Sequence, residues 1–293
     1  MIDYRYHALS LAAVLFALAL GVLLGVAIGD SNLVSSAKSG VVHNLDSEVE
    51  SARRHATQLQ ERLTAEQAFT GGLYPLAVHE LLTGRNIGLV FLGGSSDQVN
   101  AIVRTAVAQA GASVATVVAV RVPLSLAAIA HESAGTQYAA LGTSTALVGH
   151  FGEVVGRELV SGGPQVDREL LSRVRAGLLS AFDGQLSRLE GLVVMRSEPA
   201  VMSAAQTEAS DAFETGLLTG VAAAGVTAVG AELGGENPSQ VPWFKSMRIS
   251  SVDDLGTLAG QTALAYALAG HHGAFGTRPT AEALLPSAAG ASG

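Results

Sequence analysis

The sequence of 293 residues contains no cysteine, few lysines and few aromatic side chains. Without cysteine the chain can form neither a disulfide nor a thiolate metal site. Lys38 and Lys245 are the only lysines, and 17 basic residues against 25 acidic ones leave a net charge of −8. The chain therefore lacks a basic face that would displace counterions from phosphates, which argues against nucleic acid as a partner. Charged residues make up only 14% of the chain, so apolar segments dominate it.

The longest uncharged segment lies near the start of the chain, from Ala8 to Gly29. As a helix it would be about 33 Å long, enough to cross a hydrocarbon core of about 30 Å. A cleaved signal has an apolar core of only about 7–15 residues after a basic start. The segment therefore favours an uncleaved anchor, residues 1–30, in contact with membrane lipid. Ala27 and Gly29 also fit the small-x-small form of a signal-peptidase site, so a removed signal is the alternative.

The few charges beside this segment predict its orientation in the cell membrane. Arg5 precedes the apolar run and Asp30 follows it. Basic residues next to a membrane span prefer the cytoplasmic side. The protein is therefore expected to cross the cell membrane once, with a cytoplasmic N-terminus and with residues 30–293 outside the cytoplasm.

The apolar segment also carries a pattern that is typical of helices that associate in lipid. Small residues recur at every fourth position, which places them on one face of the helix. Because lipid offers little hydrophobic drive between helices, such a face favours association by letting two backbones approach closely. This small-residue face consists of Ala13, Ala17, Gly21, Gly25 and Gly29.

Residues 31–72 are predicted to form a polar linker, 31–40, followed by a helix with a heptad pattern. Apolar residues spaced alternately by three and four are typical of a coiled coil. An amphipathic helix that packs on its own domain is the alternative. Gly71, Gly72 and Pro75 are expected to end this helix. The apolar stripe, called the heptad seam below, consists of Val42, Leu45, Val49, Ala52, Ala56, Leu59 and Leu63. With the small-residue face, it predicts a homo-oligomer assembled through residues 13–29 and 42–63.

From residue 73 to residue 277 strand-like and helix-like segments alternate, which predicts an α/β sandwich domain with a mostly parallel sheet. The segment 234–246 is expected to be a loop. The tail, 278–293, is rich in Ala, Pro, Ser and Gly and is expected to be disordered. Strands are predicted at 86–92, 112–120, 191–195, 226–232 and 247–252, and helices at 97–111, 170–189, 210–225 and 253–270.

Catalytic motifs are incomplete throughout the sequence. GGSSD (93–97) follows the first predicted strand but matches neither a dinucleotide fingerprint, a Walker loop nor a nucleophile elbow, and helix capping is its simpler interpretation. HELLT (79–83) and HESAG (131–135) each lack the second histidine of a zinc-protease motif. The sequence therefore predicts that the protein is not an enzyme, and an anchored enzyme with an α/β active site is a minor alternative.

Candidate metal ligands are few, and no catalytic or cofactor-binding residue is predicted. The best candidates are the adjacent His271 and His272, together with Met195 and Met202 around the end of the third predicted strand. Imidazole and thioether groups both suit copper. Ordinary structural roles are the alternative for each residue, and Asp253 with Asp254 are expected to cap the last helix.

Three segments resemble the mycobacterial copper-transport protein B family of actinobacteria: YRYHALSLAAVLFALALGVLLG at the start, GRNIGLVFLGGSSDQVNAIVRTAVAQAGASV, and ISSVDDLGTLAGQTALAYALAGHHGAFGT near the end. The similarity covers residues 1 to about 277. It implies a pore-forming copper-transport protein of the outer envelope that lowers intracellular copper. One apolar helix cannot form a pore alone, so a channel would require several chains.

The combined interpretation is a membrane-anchored, non-enzymatic envelope protein of copper efflux or copper tolerance that acts as an oligomer. Copper is the ion that the resemblance implies. A structural or scaffolding envelope protein without metal transport is the alternative function.

Overall fold

The computed structural model describes residues 4–28, 31–162, 165–197, 199 and 201–287. The chain divides into two compact units, residues 1–68 and 69–293. The described residues form nine α-helices, a 3-10 helix at Gln137–Thr143 and seven strands. The helices are α1 (Tyr4–Ile28), α2 (Ser31–Val78), α3 (Asp97–Gln109), α4 (Leu126–Glu132), α5 (Thr145–Ser161), α6 (Gln165–Leu178), α7 (Ala204–Ala223), α8 (Val241–Ser246) and α9 (Leu258–Leu268). The strands are β1 (Asn86–Leu92), β2 (Ser113–Val120), β3 (Leu179–Gly184), β4 (Gly191–Arg196), β5 (Thr227–Ala231), β6 (Ser250–Val252) and β7 (Ala274–Phe275).

The first unit begins with the apolar helix that the sequence predicts. Within α1, Tyr6–Ala27 is the one described helix that is long and apolar enough to cross a membrane, and none of it is buried against protein. A Cβ atom added at Gly21 or Gly25 would meet no atom within 4 Å, so the small-residue face is open along these positions. Gly29 lies outside the described residues.

Helix α2 is longer at both ends than the sequence pattern indicates. The expected linker at 31–40 is helical, and the helix continues through Gly71, Gly72 and Pro75 to Val78. The expected termination was wrong because tertiary packing outweighs the weak helix propensity of these residues. Tyr74 is 7% exposed and Val78 fully buried in the core of the second unit, which stabilises the last turns.

The second unit is built on one sheet with the strand order β3-β2-β1-β4-β5-β6-β7. All neighbouring strands pair in parallel except β2 and β3, which are antiparallel. The mostly parallel α/β prediction is therefore confirmed. Buried apolar side chains cover both faces of the sheet, as parallel strands require. Strand β1 occupies the segment predicted for it, and its neighbours β2 and β4 differ by one residue from the predicted bounds.

One predicted helix, 170–189, is in part a strand. Helix α6 ends at Leu178, and the next six residues form β3 along the outer side of β2. The helical pattern of this segment was misleading because β2 would otherwise present an unpaired edge. Gly184, with φ of +91°, ends the strand, and a Cβ there would overlap the carbonyl oxygen of Ala115. This close approach requires glycine.

The predicted loop 234–246 contains the short helix α8, whose first turn holds Pro242. Proline suits this position because its missing N–H would have no partner there. Buried Val241 and Phe244 fix α8 against the sheet.

The tail differs from the expected disorder over residues 278–287. The backbone N–H of Gly276 donates to Ala283 O at 2.9 Å, and the N–H of Glu282 donates to Ala274 O at 2.7 Å, so the segment pairs with the outer edge of β7. Lys245 Nζ binds Glu282 Oε1 at 2.8 Å and adds a surface contact. Residues 288–293 lie outside the described residues.

Helices α5 and α7 pack with their backbones in direct contact on one face of the sheet. Glycines from both helices form this crossing, where an added Cβ would overlap a carbonyl oxygen of the facing helix. Small residues allow such a close approach. The glycines concerned are Gly152 and Gly156 of α5 and Gly216 and Gly220 of α7.

Tyr74 provides a test of the packing at the end of α2. Its hydroxyl is buried and has no hydrogen-bond partner among the described residues. Burial raises the pKa of Tyr74 to about 12 from 10.0, so the unfolded chain releases this proton first as the pH rises. The free energy of unfolding should therefore fall between pH 10 and pH 12, by at most about 2–3 kcal/mol from this group.

We expect Tyr74→Phe to stabilise the protein by about 1 kcal/mol at pH 7, because an unpaired buried hydroxyl is removed. The variant should also lose less stability above pH 10. Urea unfolding followed by fluorescence of Trp243, the only tryptophan, measures both effects in the second unit. Tyr266→Phe is the control: its hydroxyl donates to Ala77 O at 3.1 Å, so its loss should be destabilising. A less stable Tyr74→Phe protein would contradict the unpaired hydroxyl.

Candidate functional site

The two predicted methionine ligands lie near the carboxyl end of β4. Met195 is the penultimate residue of this strand and is 7% exposed, packed in the core between the sheet and helices α3 and α9. Met202 is half-buried in the segment that precedes α7. The Met195 thioether therefore serves as a core side chain in this structure.

The two predicted histidine ligands follow α9. The backbone N–H of His271 donates to Tyr266 O at 3.1 Å, and its ring packs edge-to-face on the Tyr266 ring with centroids 5.3 Å apart. Its Nδ1 atom is buried and has no hydrogen-bond partner among the described residues. His272 is exposed. The pair thus offers one imidazole with a buried Nδ1, on His271, and one that is exposed to solvent, on His272.

The parallel register separates the methionines from the histidines. Met195 is paired with Ala231, which is level with Val252 of β6 and Phe275 of β7. His271 precedes Phe275 by four residues and therefore lies toward the amino ends of the strands. Three strand spacings and this offset place the Cα atoms of Met195 and His271 roughly 15–20 Å apart. One copper ion cannot contact both Met195 and His271 within a chain, so the methionines and the histidines are separate candidates.

No group of three or more His, Asp or Glu side chains that would hold a metal ion occurs in the described part of the chain. Thioether sulfur and single imidazoles remain the available soft ligands. The prediction of direct copper binding stays a prediction for each pair.

A cluster of buried charges lies at the carboxyl ends of β4, β5 and β6, where doubly wound sheets bind ligands. Arg196 ends β4, and Glu232 and Asp253 directly follow β5 and β6. All three are buried, with relative exposures of 6%, 1% and 0%. We call these three residues and their direct partners the carboxyl-edge cluster.

Arg196 is the centre of the first half of this cluster. Its guanidinium donates to Glu214 Oε2 at 2.7 Å, to Gln240 Oε1 at 2.7 Å and to Asp211 Oδ1 at 2.9 Å. The same group lies over the ring of Trp243, 4.4 Å from its centroid. Because Glu214 is 1% exposed, its charge depends on Arg196 for compensation.

Glu232 and Asp253 hold loops across the same edge. Glu232 accepts hydrogen bonds from the backbone N–H of Gln240 at 2.6 Å and from Ser239 Oγ at 2.9 Å, and it binds Arg278 Nη1 at 3.2 Å. Asp253 accepts from the backbone N–H groups of Thr277 and Arg278 at 2.8 and 2.9 Å. The helix cap expected from Asp253 is supplied instead by Thr257, whose Oγ1 accepts from Gly260 N at 3.1 Å.

The buried side chains of the cluster are internally paired, and this limits the chemistry of the cluster. Its carboxylates accept hydrogen bonds from fixed partners, and the segment after β7 covers it so closely that a Cβ at Gly276 would overlap Asp253. At its margin, burial and then the neighbouring Glu232 charge raise the pKa of Glu236. The arrangement fits a structural role, in which buried carboxylates hold the loops after β5 and β7 in place, better than acid–base catalysis. The available sequence signal was a charged residue directly after an apolar strand.

These features define an α/β protein with a mostly parallel sheet and an apolar N-terminal helix. The family model described as "Copper transport outer membrane protein, MctB" matches residues 1–286, so the chain belongs to this family. It is similar to the copper transporter MctB of Mycobacterium tuberculosis and of Mycobacterium bovis, with 34% identity over 114 residues in each case. The aligned stretch covers 39% of this chain and only 36% of the length of each relative.

The family prediction made from the three sequence segments is therefore confirmed. The description of the family names copper transport and the outer membrane, and the apolar helix α1 agrees with membrane association.

Proposed function

We propose that this protein takes part in copper transport as a membrane-anchored homo-oligomer of the cell envelope and that it catalyses no reaction. Copper is the transported substrate in this proposal, by analogy with the relatives named copper transporter. The internal pairing of the carboxyl-edge cluster and the incomplete catalytic motifs support a role without catalysis.

The exposure of the heptad seam is the observation that most directly supports assembly. Four of its large side chains are between 43% and 65% exposed in the single chain: Leu45, Val49, Leu59 and Leu63. Burying these side chains against a second copy would remove them from water, as in a coiled coil. The side chain of Val42 lies outside the described part. The open small-residue face of α1 gives the same copies a second contact within lipid.

Assembly also bears on conduction. A single α1 helix encloses no path for an ion, so any channel through this part requires several chains.

We place the N-terminus in the cytoplasm and the second unit outside it, as the flanking charges Arg5 and Asp30 favour. Because the chain has no cysteine, labelling Val201→Cys in intact cells with a membrane-impermeant maleimide tests this sidedness. No labelling before lysis would contradict it.

Copper sensitivity tests the proposed function. A strain that lacks the gene should become more sensitive to copper and should retain more cell-associated copper, and the wild-type gene should restore both. The double variant Gly21→Ile/Gly25→Ile should restore less, because bulky side chains block close approach of the α1 helices. Ala12→Ile/Ala19→Ile, on the opposite face of the same helix, is the matched control. Light scattering of the detergent-solubilised protein should show a lower molar mass only for the glycine variant.

Unchanged copper tolerance in the deletion strain would remove the transport proposal. It would leave the scaffolding alternative, which the internal pairing of the carboxyl-edge cluster and the separation of Met195 from His271 favour. An unchanged molar mass for Gly21→Ile/Gly25→Ile would exclude the small-residue face as an interface.

Direct binding is tested on each ligand pair by itself, because Met195 and His271 lie apart. We expect His271→Ala/His272→Ala to weaken Cu(I) retention against a competing chelator, whereas the exposed pair His79→Ala/His150→Ala should leave it unchanged. Met195→Leu/Met202→Leu tests the thioethers. Full retention in both ligand variants would contradict these four residues as ligands.

A further inference from the structure

An apolar cavity of about 150 Å³ lies on the face of the sheet that α5 and α6 cover. Its floor is formed by β2 and β3, and its walls by Val155 and Leu159 of α5, Leu178 of α6 and Leu217 of α7. Ser172 and Arg175 are its two polar lining residues. The cavity belongs to neither the carboxyl-edge cluster nor the predicted copper ligands.

The size and lining of the cavity define what it can hold. A cavity of about 150 Å³ lined by aliphatic and aromatic side chains stays dry and admits a ligand of benzene size. A flexible alkyl segment of about six to eight carbons has a comparable volume. Water gains too few polar partners here to fill the space stably, whereas an alkyl chain restores the missing van der Waals contacts.

Arg175 supplies a positive charge at the rim of the cavity. Its guanidinium carbon lies 4.1 Å from the centroid of the Phe182 ring, which fixes the group beside the opening. Arg175 has no ion pair within the described ranges, whereas Arg104, Arg157, Arg196 and Arg278 all bind carboxylates. The exposed donors of Arg175 are therefore available to an anion, and guanidinium matches a carboxylate in two-point geometry.

We propose that this cavity binds a single-chain anionic amphiphile, a medium-chain fatty acid, with its alkyl end in the cavity and its carboxylate on Arg175. The two observations account for different parts of the ligand: the apolar lining selects the alkyl chain, and the exposed guanidinium of Arg175 selects the negative charge. A helix that can cross a membrane keeps this chain near a source of such acids. The site is independent of the proposed copper function.

Equilibrium dialysis of labelled decanoate against the full chain in phosphatidylcholine nanodiscs tests this proposal, with empty nanodiscs as the blank. We expect saturable binding of decanoate and at least tenfold weaker binding of decylamine, whose charge is opposite. Val155→Phe should fill the cavity and weaken decanoate binding at least tenfold. Val201→Phe, the same substitution at an exposed position, should leave the affinity unchanged.

Arg175→Gln should weaken decanoate binding about tenfold, as expected for the loss of one charge-assisted interaction. Arg173→Gln, an exposed arginine of the same helix that does not line the cavity, is its matched control. Circular dichroism shows whether each variant is folded, and Arg175→Gln tests the site even if Val155→Phe does not fold. Wild-type affinity in folded Val155→Phe would overturn the cavity as the site. Wild-type affinity in Arg175→Gln, or equal binding of decylamine, would overturn the selection of an anion.

Discussion

Replacing Arg196 with leucine is expected to lower the free energy of unfolding by about 3–5 kcal/mol, because it leaves the Glu214 charge buried without its main compensation. Glu214 Oε2 accepts from Arg196 at 2.7 Å, and both side chains are withdrawn from water. The same change removes the bond to Gln240 and the contact with the Trp243 ring. Equilibrium urea unfolding of the full chain in mild detergent, followed by circular dichroism, measures the loss.

The double variant Arg196→Leu/Glu214→Leu separates the charge effect from lost packing. Replacing both partners of a buried pair by apolar residues is often close to neutral, so the double variant should recover a large part of the stability. Arg157→Leu is the control, because its pair with Glu153 at 2.9 Å is partly exposed and should contribute less than about 1 kcal/mol. A loss below 1 kcal/mol in Arg196→Leu would show that the cluster does not hold the domain together.

The second large effect is expected at the crossing of α5 and α7. A methyl group at Gly156 would overlap the carbonyl oxygen of Leu217 in the facing helix, and this backbone cannot yield without moving α7. We therefore expect Gly156→Ala to destabilise the protein by at least about 1–3 kcal/mol, the usual range for overpacking, despite the higher helix propensity of alanine. The shift of the urea midpoint measures it.

Gly71→Ala is the matched control for this change. Gly71 also lies within a helix, but a Cβ there would meet no atom within 4 Å. The control should therefore be neutral or more stable by up to about 1 kcal/mol. If both alanine variants were equally stable, close backbone contact would not hold α5 against α7.

The sequence predicts the buried strands well and the edges of the domain poorly. The segment 86–92 is a continuous apolar run between turn residues, and such a run is typical of a strand covered on both faces. Strand β3, helix α8 and the segment 278–287 depend on partners far along the chain. Their local sequences lack the information that β2, the sheet face or β7 supplies.

Prediction of the candidate site from the sequence is limited by the same dependence on distant parts of the chain. The spacing of His271 and Met195 along the chain gives no sign that they lie toward opposite ends of the parallel strands, because the register across three strands sets that distance. The carboxyl-edge cluster left a local trace, since Arg196 and Glu232 each follow an apolar strand pattern directly. Only the fold shows that both charges bind the same residue, Gln240, and are withdrawn from solvent.

The segment after β7 also blocks edge-to-edge strand pairing between copies of the protein at this edge of the sheet. An outer strand with unpaired N–H and C=O groups is a template for sheet growth between molecules and for aggregation. Here the backbone of Glu282 and Ala283 pairs with Ala274 and Gly276 and occupies that template. In the proposed oligomer, chains that assemble through α1 and α2 would meet with this sheet edge already covered. Such an assembly would leave the α/β unit of each copy folded by itself.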